Sequence, residues 1–206
     1  MHHKKNVFRI LNKFQLFYLF NDVNFLTFKK LFSILSSNQI DTLLEIVELS
    51  ETQTIEFDKN QISKSLFINP YPKSRRGRHF VVVTPDLWRS FEKMNEMLEI
   101  EINEKINIIS CYRSPAYQSV LFLKEFYKHD FDLEKTKSVI KRPGDSEHQN
   151  INKLAVDISN VKSNDLNLKT FSWLNDNAIK YNFYNSYPKS SDSSMEFEPW
   201  HWSYRK

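Results

Sequence analysis

The sequence predicts an α+β fold with a small, mostly antiparallel sheet, flanking helices and a helical N-terminal extension. Apolar residues recur at helical spacing over the first fifty positions. From residue 79 onward, short apolar runs typical of buried strands alternate with helical patterns, without a regular βαβ rhythm. We therefore expect a helical extension over residues 1–64 and one α+β domain over residues 65–206.

Three helices are predicted within the first fifty residues. Apolar side chains recur there at the spacing of one helix face. They are Val7, Ile10, Leu11, Phe14, Phe17 and Tyr18, then Phe25, Phe28, Phe32 and Leu35, then Leu43, Leu44 and Val47. We expect the first helix to be amphipathic and packed on its neighbours, and a helix that anchors the chain at a surface is the alternative.

The N-terminus carries a basic pair, Lys4-Lys5, that resembles the start of a secretory leader. However, Asn12, Lys13 and Gln15 interrupt the apolar stretch, and no small-residue cleavage site follows. No uncharged apolar run approaches the roughly 18 residues that span a bilayer. The sequence thus predicts neither a clear leader nor a transmembrane span.

Residues 53–78 are predicted to form short strands and loops. Pro70, Pro72 and the basic run at 75–78 interrupt them. Because no aromatic residues interleave with the arginines, we expect a solvated loop and no nucleic-acid partner. The net charge of +4 favours an anionic partner such as cell wall, nucleic acid or a lipid surface, but selects none of them. Peripheral contact with membrane or wall through a basic surface therefore stays open.

The elements after residue 79 follow local signals. The run at 80–83 is apolar and β-branched, which predicts a buried strand. Thr84-Pro85-Asp86 supplies a capping hydroxyl, a proline for the first helical position and an acid for the first turn. The other predicted elements are strands at 106–109, 154–158, 183–187 and within 195–204, a helix from Ser114 to about Lys128, and a helix at 171–181 capped by Asn182.

Four side chains in the C-terminal half match the donor set of a hydrolytic metal site. A catalytic zinc takes three nitrogen or oxygen ligands and keeps one position for water. His148, Asp157 and His201 supply that set if a sheet brings them together. Glu198, three residues before His201, supplies a separate carboxylate to take the proton from that water. Singly, each side chain has an ordinary structural alternative, but together they predict a zinc hydrolase.

Arg113 is a candidate for stabilising the negative charge that develops during hydrolysis. It lies at the end of a predicted strand and just before a helix. Its guanidinium could lie beside the oxygen that becomes negative when a peptide carbonyl is attacked. The single cysteine, Cys111, permits no disulfide within the chain.

Three separated motifs resemble those of the zinc D-Ala-D-Ala carboxypeptidases and dipeptidases of peptidoglycan metabolism and vancomycin resistance. Residues 110–118 match Ser-x-Tyr-Arg-Ser-x-x-x-Gln, residues 146–157 supply Ser-x-His and Ala-x-Asp, and residues 198–201 match Glu-x-Trp-His. The resemblance covers about residues 65–204. The wider superfamily includes phage endopeptidases, and the Hedgehog signalling domain shares its zinc-site fold.

The resemblance implies a role for each catalytic candidate. His148, Asp157 and His201 would bind zinc, Glu198 would be the general base, and Arg113 would polarise the scissile carbonyl. The activity implied is a D-Ala-D-Ala carboxypeptidase acting on a peptidoglycan stem peptide or a D-Ala-D-Ala-terminated precursor. The alternatives are an endopeptidase that cuts L-Ala-D-Glu or a cross-bridge, and a non-catalytic peptide-binding module with the zinc fold.

The resemblance also implies substrate contacts from Ser146, Gln118, Tyr112 and Trp200. A cap or turn role is the alternative for Ser146. Two arguments about the cellular location point in different directions. The lack of a clear leader favours the cytoplasm, whereas mature peptidoglycan as the substrate would favour the cell envelope.

The segment between His148 and Asp157 departs from the family pattern. Asp157 follows His148 by nine positions, two more than is usual in relatives, and residues 149–153 contain no glycine. We expect a surface loop that returns the chain to its strand with Asp157 still facing the metal. Asn150 or Asn152 is expected to take the positive φ that glycine would otherwise provide.

Overall fold

The computed structural model describes residues 2–18, 23–71, 81–159, 161–162, 165–166, 168–189 and 195–205. Contacts divide the chain into two units. The helical unit comprises Met1–Ile62 and Arg113–Gln149, and the sheet unit comprises Ser63–Tyr112 and Asn150–Lys206. The predicted division at residue 64 stays a prediction. In the contact grouping, residues 113–149 belong with the N-terminal helices.

In the part of the chain that the structure describes, five α-helices precede the first strand, and helices and short strands are interspersed after it. The α-helices are α1 (His2–Tyr18), α2 (Phe28–Phe32), α3 (Ser37–Val47), α4 (Glu51–Lys59), α5 (Pro85–Ile102), α6 (Pro115–Lys128), α7 (Leu133–Val139) and α8 (Leu168–Asn177). The strands are β1 (Ile108–Ser110), β2 (Lys153–Ile158), β3 (Val161–Lys162), β4 (Asp165–Leu166), β5 (Phe183–Asn185) and β6 (His201–Arg205). None of the helices in the described ranges combines the length and apolar character needed to cross a bilayer.

The core of the helical unit joins the N-terminal helices to α6. Val7, Ile10 and Phe14 of α1 are buried, whereas Lys4 and Lys5 are exposed. This division confirms the predicted amphipathic helix packed on its neighbours. The buried apolar side chains of this core are Val7, Ile10, Phe14, Val23, Leu26, Phe28, Leu31, Leu43, Ile46, Val47, Ala116, Val120, Phe122 and Leu123.

Helix α4 lies where the sequence analysis predicted short strands and loops, so that prediction was wrong over residues 53–59. Ser50 and Gln53 form a capping box: the Gln53 amide donates to Ser50 Oγ over 3.2 Å, and the Ser50 amide donates to Gln53 Oε1 over 2.8 Å. Residues 72–80 lie outside the described residues, and with them the basic run at 75–78 and the start of the predicted 80–83 strand.

The sheet unit contains the antiparallel sheet that the sequence predicted. Its strand order is β1-β2-β6-β5, and every neighbouring pair is antiparallel. Helix α5 begins as expected, because Thr84 Oγ1 accepts a hydrogen bond from the Leu87 amide and Pro85 takes the first helical position. The ring of Phe91 on α5 packs edge-on against that of Phe183 on β5, with 6.3 Å between the ring centres.

Three strand predictions were too long, and the one at 183–187 ends at Asn185 in the structure. Val83 forms only an isolated bridge with Ile68. In the last predicted stretch, residues 195–200 are irregular and only β6 is extended. Asn182 ends the helical turn before β5 with φ 65°, which confirms the predicted C-cap. These differences leave the small antiparallel sheet that the sequence predicted in place.

Candidate metal centre

Strands β2 and β6 place Asp157 and His201 directly opposite each other. Asp157 is 9% exposed and His201 is 5% exposed. Asp157 Oδ1 lies 3.1 Å from His201 Nδ1. A nearly buried carboxylate needs a charged or hydrogen-bonding partner to offset its lost hydration. The sheet register therefore brings two of the predicted ligands together with their donor atoms facing each other.

A tight turn before β6 brings Glu198 to the same nitrogen. Glu198 Oε2 lies 3.6 Å from His201 Nδ1, and Glu198 is 9% exposed. The turn closes through a 3.2 Å hydrogen bond from the His201 amide to the Glu198 carbonyl. The Glu198 amide in turn donates to the Tyr187 carbonyl over 3.2 Å. The Glu-Pro-Trp-His segment thus turns sharply, which is the geometry that the metal interpretation required.

His148 lies in a 3₁₀ turn, Glu147–Gln149, at the end of the helical unit. Its side chain is 2% exposed. The Arg113 amide donates to the His148 carbonyl over 3.1 Å, so the backbone of the Arg113 motif is bonded to the backbone of the histidine motif. Just before this turn, Gly144 has φ +94° and donates to Gln149 Oε1. A side chain at Gly144 would be strained at that φ and would meet the Phe57 ring.

The three predicted ligands meet the distance requirement for one metal ion. His148, Asp157 and His201 each offer one ligand atom, and these atoms lie within 4.8 Å of one another. Tetrahedral coordination at zinc bond lengths of about 2.0–2.2 Å separates neighbouring ligand atoms by roughly 3.3–3.6 Å. The 3.1 Å between Asp157 and His201 is close to that separation. Two imidazoles and one carboxylate are also a donor set that zinc accepts, so the residues fit the ion.

The linker after His148 forms a turn without positive φ. Asn150 Oδ1 accepts a 3.0 Å hydrogen bond from the Asn152 amide, and the Lys153 amide donates to the Asn150 carbonyl over 3.1 Å. Asn150 and Asn152 lie in a turn between elements, as expected for a linking loop. The predicted positive φ at either asparagine was wrong, since neither has one. The asparagine side chain closes the turn instead, as in Asx-turns.

The proposed substrate residues lie in different environments. Tyr112 is 2% exposed, its ring centre lies 4.7 Å from that of Phe67, and burial raises the pKa of its hydroxyl to about 12. Gln118 is 1% exposed and donates through Nε2 to the Lys141 carbonyl over 2.8 Å. Ser146 is 6% exposed and Trp200 is partly exposed. Contact of these four residues with a substrate stays a prediction.

Two residues beside Glu198 were missed by the sequence analysis. The ring of Tyr187 is tilted against that of His201, with 5.0 Å between the ring centres, and the Tyr187 carbonyl accepts a hydrogen bond from the Glu198 amide. Asn185 donates through Nδ2 to the Glu198 carbonyl over 2.9 Å. Both lie in a stretch that the sequence marked only as a strand. The mixture of aromatic and polar residues over 183–187 carried no chemical signal of its own.

Residues 81–206 match the protein family described as VanY, D-alanyl-D-alanine carboxypeptidase. A curated relative, the putative carboxypeptidase YodJ of Bacillus subtilis (strain 168), is 38% identical over 105 residues. That alignment covers 47% of this chain and 37% of the relative, so the match spans well under half of the relative's length.

Solved structures share the fold. The structure described as VanYB in complex with D-alanine-D-alanine is 20% identical, with a TM-score of 0.53 over 62% of this chain and 74% of that one. The zinc complex of a mutant VanY D,D-pentapeptidase from a VanB-type resistance cassette is also 20% identical, with a TM-score of 0.52 over 61% and 74% of the two chains. Because the family match extends over more than half of the sequence, this chain belongs to the VanY family of D-alanyl-D-alanine carboxypeptidases.

Proposed function

We propose that this protein is a zinc-dependent carboxypeptidase that removes the terminal D-alanine from peptidoglycan stem peptides or their precursors. The proposal rests on one observation. In this chain, which belongs to the VanY family, His148, Asp157 and His201 place ligand atoms within 4.8 Å of one another. The bound D-alanine-D-alanine in the VanYB structure and the zinc in the VanY mutant structure are consistent with that substrate and that ion.

His148, Asp157 and His201 would hold the ion, and their burial would keep competing water away. When bound, zinc lowers the pKa of a coordinated water and polarises a carbonyl oxygen. The 3.1 Å between Asp157 Oδ1 and His201 Nδ1 is close to the separation that two ligands of one zinc ion would have. Little rearrangement of the β2–β6 pair would then be needed to form the site.

Glu198 is the proposed general base. Its carboxylate would take a proton from the attacking water and deliver a proton to the departing nitrogen of the terminal D-alanine. The separation of 3.6 Å from His201 Nδ1 places the carboxylate next to the ligand set. Its backbone is fixed on both sides, by the Tyr187 carbonyl and the His201 amide, so the carboxylate starts from a defined position.

Arg113 is the proposed partner of the carbonyl oxygen that becomes negative. A planar guanidinium gives directed hydrogen bonds that a lysine ammonium reproduces poorly. Because this contact strengthens in the transition state, Arg113→Lys should lower kcat more than it raises KM. Steady-state kinetics of the zinc-loaded protein measure both constants. A change in KM alone would make Arg113 a ground-state anchor instead.

Ser146 is the proposed hydrogen-bond donor to the substrate's terminal carboxylate, and Gln118 is proposed to help hold the peptide end. Ser146 lies two residues before His148 and is nearly buried. Gln118 Oε1 is buried and has no hydrogen-bond partner among the described residues, so it is available as an acceptor for an N–H group of the peptide. Tyr112 and Trp200 are proposed to shape the walls of the site. These four assignments rest on the family resemblance.

The linker at 149–153 is proposed to be a spacer whose length does not matter to the ligands. Removing two of its residues and restoring a glycine should then leave zinc binding and activity largely intact, because exposed loops tolerate changes of length. Zinc content and turnover, measured on a variant shown to be folded by circular dichroism, test this. A folded variant without zinc would make the longer spacing part of the site.

The outer face of α1 is proposed to contact an anionic surface peripherally. Lys4, Lys5 and Phe8 are exposed there, as are Arg9 and Leu16, and the exposed fractions of Phe8 and Leu16 are 51% and 66%. Basic and apolar side chains on one helix face favour anionic lipid. The protein should therefore sediment with anionic vesicles and not with neutral ones, and a charge-reversed Lys4→Glu/Lys5→Glu variant should sediment less. Binding to isolated wall and not to vesicles would make the wall the partner.

The decisive experiment offers three substrates to the zinc-loaded protein and identifies the products by mass. The substrates are a UDP-muramyl pentapeptide, free D-Ala-D-Ala and cross-linked muropeptides. Loss of a single alanine from the pentapeptide is expected. Cleavage only inside the stem peptide or at a cross-bridge would favour the endopeptidase. Binding of all three without cleavage would favour the peptide-binding module.

A further inference from the structure

We propose that Asn185 is a positioning residue that fixes the proposed general base, Glu198, through its main chain. The inference rests on the proposed function, because Glu198 matters only if the protein hydrolyses a peptide. It extends that function by one residue that lies outside the three motifs. Asn185 ends β5, which is the edge strand of the sheet, and it pairs with Trp202 on β6.

The Glu198 peptide is bonded on both sides. Its amide donates to the Tyr187 carbonyl over 3.2 Å. Its carbonyl accepts two hydrogen bonds, one of 3.2 Å from the His201 amide and one of 2.9 Å from Asn185 Nδ2. The bond from Asn185 is the shorter of the two, and a side chain supplies it. A substitution at position 185 can therefore remove it without altering the main chain.

The chemistry at position 185 requires a donor. Glu198 presents a carbonyl oxygen, which only accepts, so the asparagine must direct its nitrogen there. The other end of the amide, Oδ1, is buried and has no hydrogen-bond partner among the described residues. An unpaired buried acceptor costs stability, and a leucine of similar size would avoid that cost. Asn185 thus bonds the main chain of Glu198 through Nδ2 and leaves Oδ1 unpaired within the described part of the chain. A role in positioning Glu198 explains this arrangement better than a contribution to stability does.

Loosening this bond would affect the reaction through geometry. Glu198 Oε2 lies 3.6 Å from His201 Nδ1, and both side chains belong to one turn whose closing bond joins the His201 amide to the Glu198 carbonyl. A shift of the Glu198 peptide would move the carboxylate relative to the ligand set. Small misplacements of a catalytic group lower kcat without removing substrate contacts. The effect should therefore fall on kcat and not on KM.

Two variants and one matched control test the proposal. Asn185→Leu keeps the size and removes the donor, and Asn185→Asp keeps the polarity but places an acceptor against the Glu198 carbonyl. The control is Asn95→Leu. Asn95 also bonds main chain through its amide, accepting from the Ile106 amide over 2.9 Å and donating to the Ile106 carbonyl over 3.1 Å. It lies on α5, outside the motifs of the proposed site.

We expect Asn185→Leu to lower kcat about three- to tenfold, as the loss of one hydrogen bond predicts, and Asn185→Asp to lower it at least as much. KM should change less than about twofold and zinc content should stay near that of the wild type. Asn95→Leu should keep kcat even where it lowers the melting temperature. A wild-type kcat in folded Asn185→Asp would overturn the proposal, and so would an equal loss of kcat in Asn95→Leu.

A measurement on the metal-free protein separates this inference from the proposed function. The His201 amide hydrogen should exchange faster with solvent in Asn185→Asp than in the wild type, because its acceptor is less firmly held. The Ala155 amide, in the middle of β2, should be unchanged. Unchanged exchange at His201 would overturn the positioning role. The exchange at His201 could be faster in the variant while the wild type cleaves none of the substrates. That result would support the contact between Asn185 and Glu198 and would refute only the proposed function.

Discussion

Glu198→Gln is expected to lose about a hundredfold or more in turnover while keeping its fold and its zinc. Glutamine has nearly the same size, and its main chain can keep the bonds to Tyr187 and His201. It cannot take a proton from water, so the chemical step loses its base. Zinc should remain because Glu198 is not one of the proposed ligands. Turnover on the pentapeptide and zinc content per chain are the two measurements.

The comparison needs a control for the loss of one carboxylate charge. Glu99→Gln serves this purpose, since Glu99 lies on α5 and outside the motifs. It should keep wild-type turnover. Near-normal turnover in Glu198→Gln would move the base elsewhere or point to another mechanism. Loss of zinc together with turnover would instead make Glu198 a ligand.

Much of the site could be predicted because its geometry is local. Glu198 and His201 are three residues apart, so a sharp turn alone brings their side chains together, and the structure has that turn. Asp157 required a second strand, and the apolar run before it correctly predicted β2. What the sequence could not give was the register, which places Asp157 opposite His201 and not opposite a neighbour.

The predictions that failed depended on choices among competing local signals. The capping box of Ser50 and Gln53 indicates the start of a helix, whereas the later prolines favoured the prediction of loops over residues 53–59. The glycine-free linker suggested positive φ at Asn150 or Asn152, whereas the Asn150 side chain closes the turn with ordinary φ. In each case a side-chain hydrogen bond, which periodicity does not reveal, decided the local structure.

The sequence also could not predict which helices pack against one another. The pattern of α6 predicts a helix with an apolar face, but it does not say which helices cover that face. In the structure, α6 shares a core with the N-terminal helices through Ala116, Val120, Phe122 and Leu123. The same unit continues to His148 through α7 and the turn at Gly144. The N-terminal helices thus share a unit with the segment that carries Arg113 and His148, which a division at residue 64 would not suggest.

Replacing any one of the three ligands is expected to empty the metal site. His148→Ala, Asp157→Ala and His201→Ala each remove one of three donors and leave two, whereas catalytic zinc sites use three protein ligands. The wild type should hold about one zinc per chain after dialysis against a weak chelator. Elemental analysis of the folded variants should find little. His129→Ala, at the end of α6, is a matched control and should keep zinc.

Unfolding gives a second measurement of the same prediction. An ion that binds only the folded chain stabilises it by about 2.7 kcal/mol when its free concentration is about a hundred times the dissociation constant. Added zinc should therefore raise the melting temperature of the wild type, of Glu198→Gln and of His129→Ala, and leave the three ligand variants unchanged. Full zinc in all three would contradict the ligand set. If only Asp157→Ala kept zinc, Asp145 and Glu147 would be the next carboxylates to replace, because both lie within three residues of His148 in sequence.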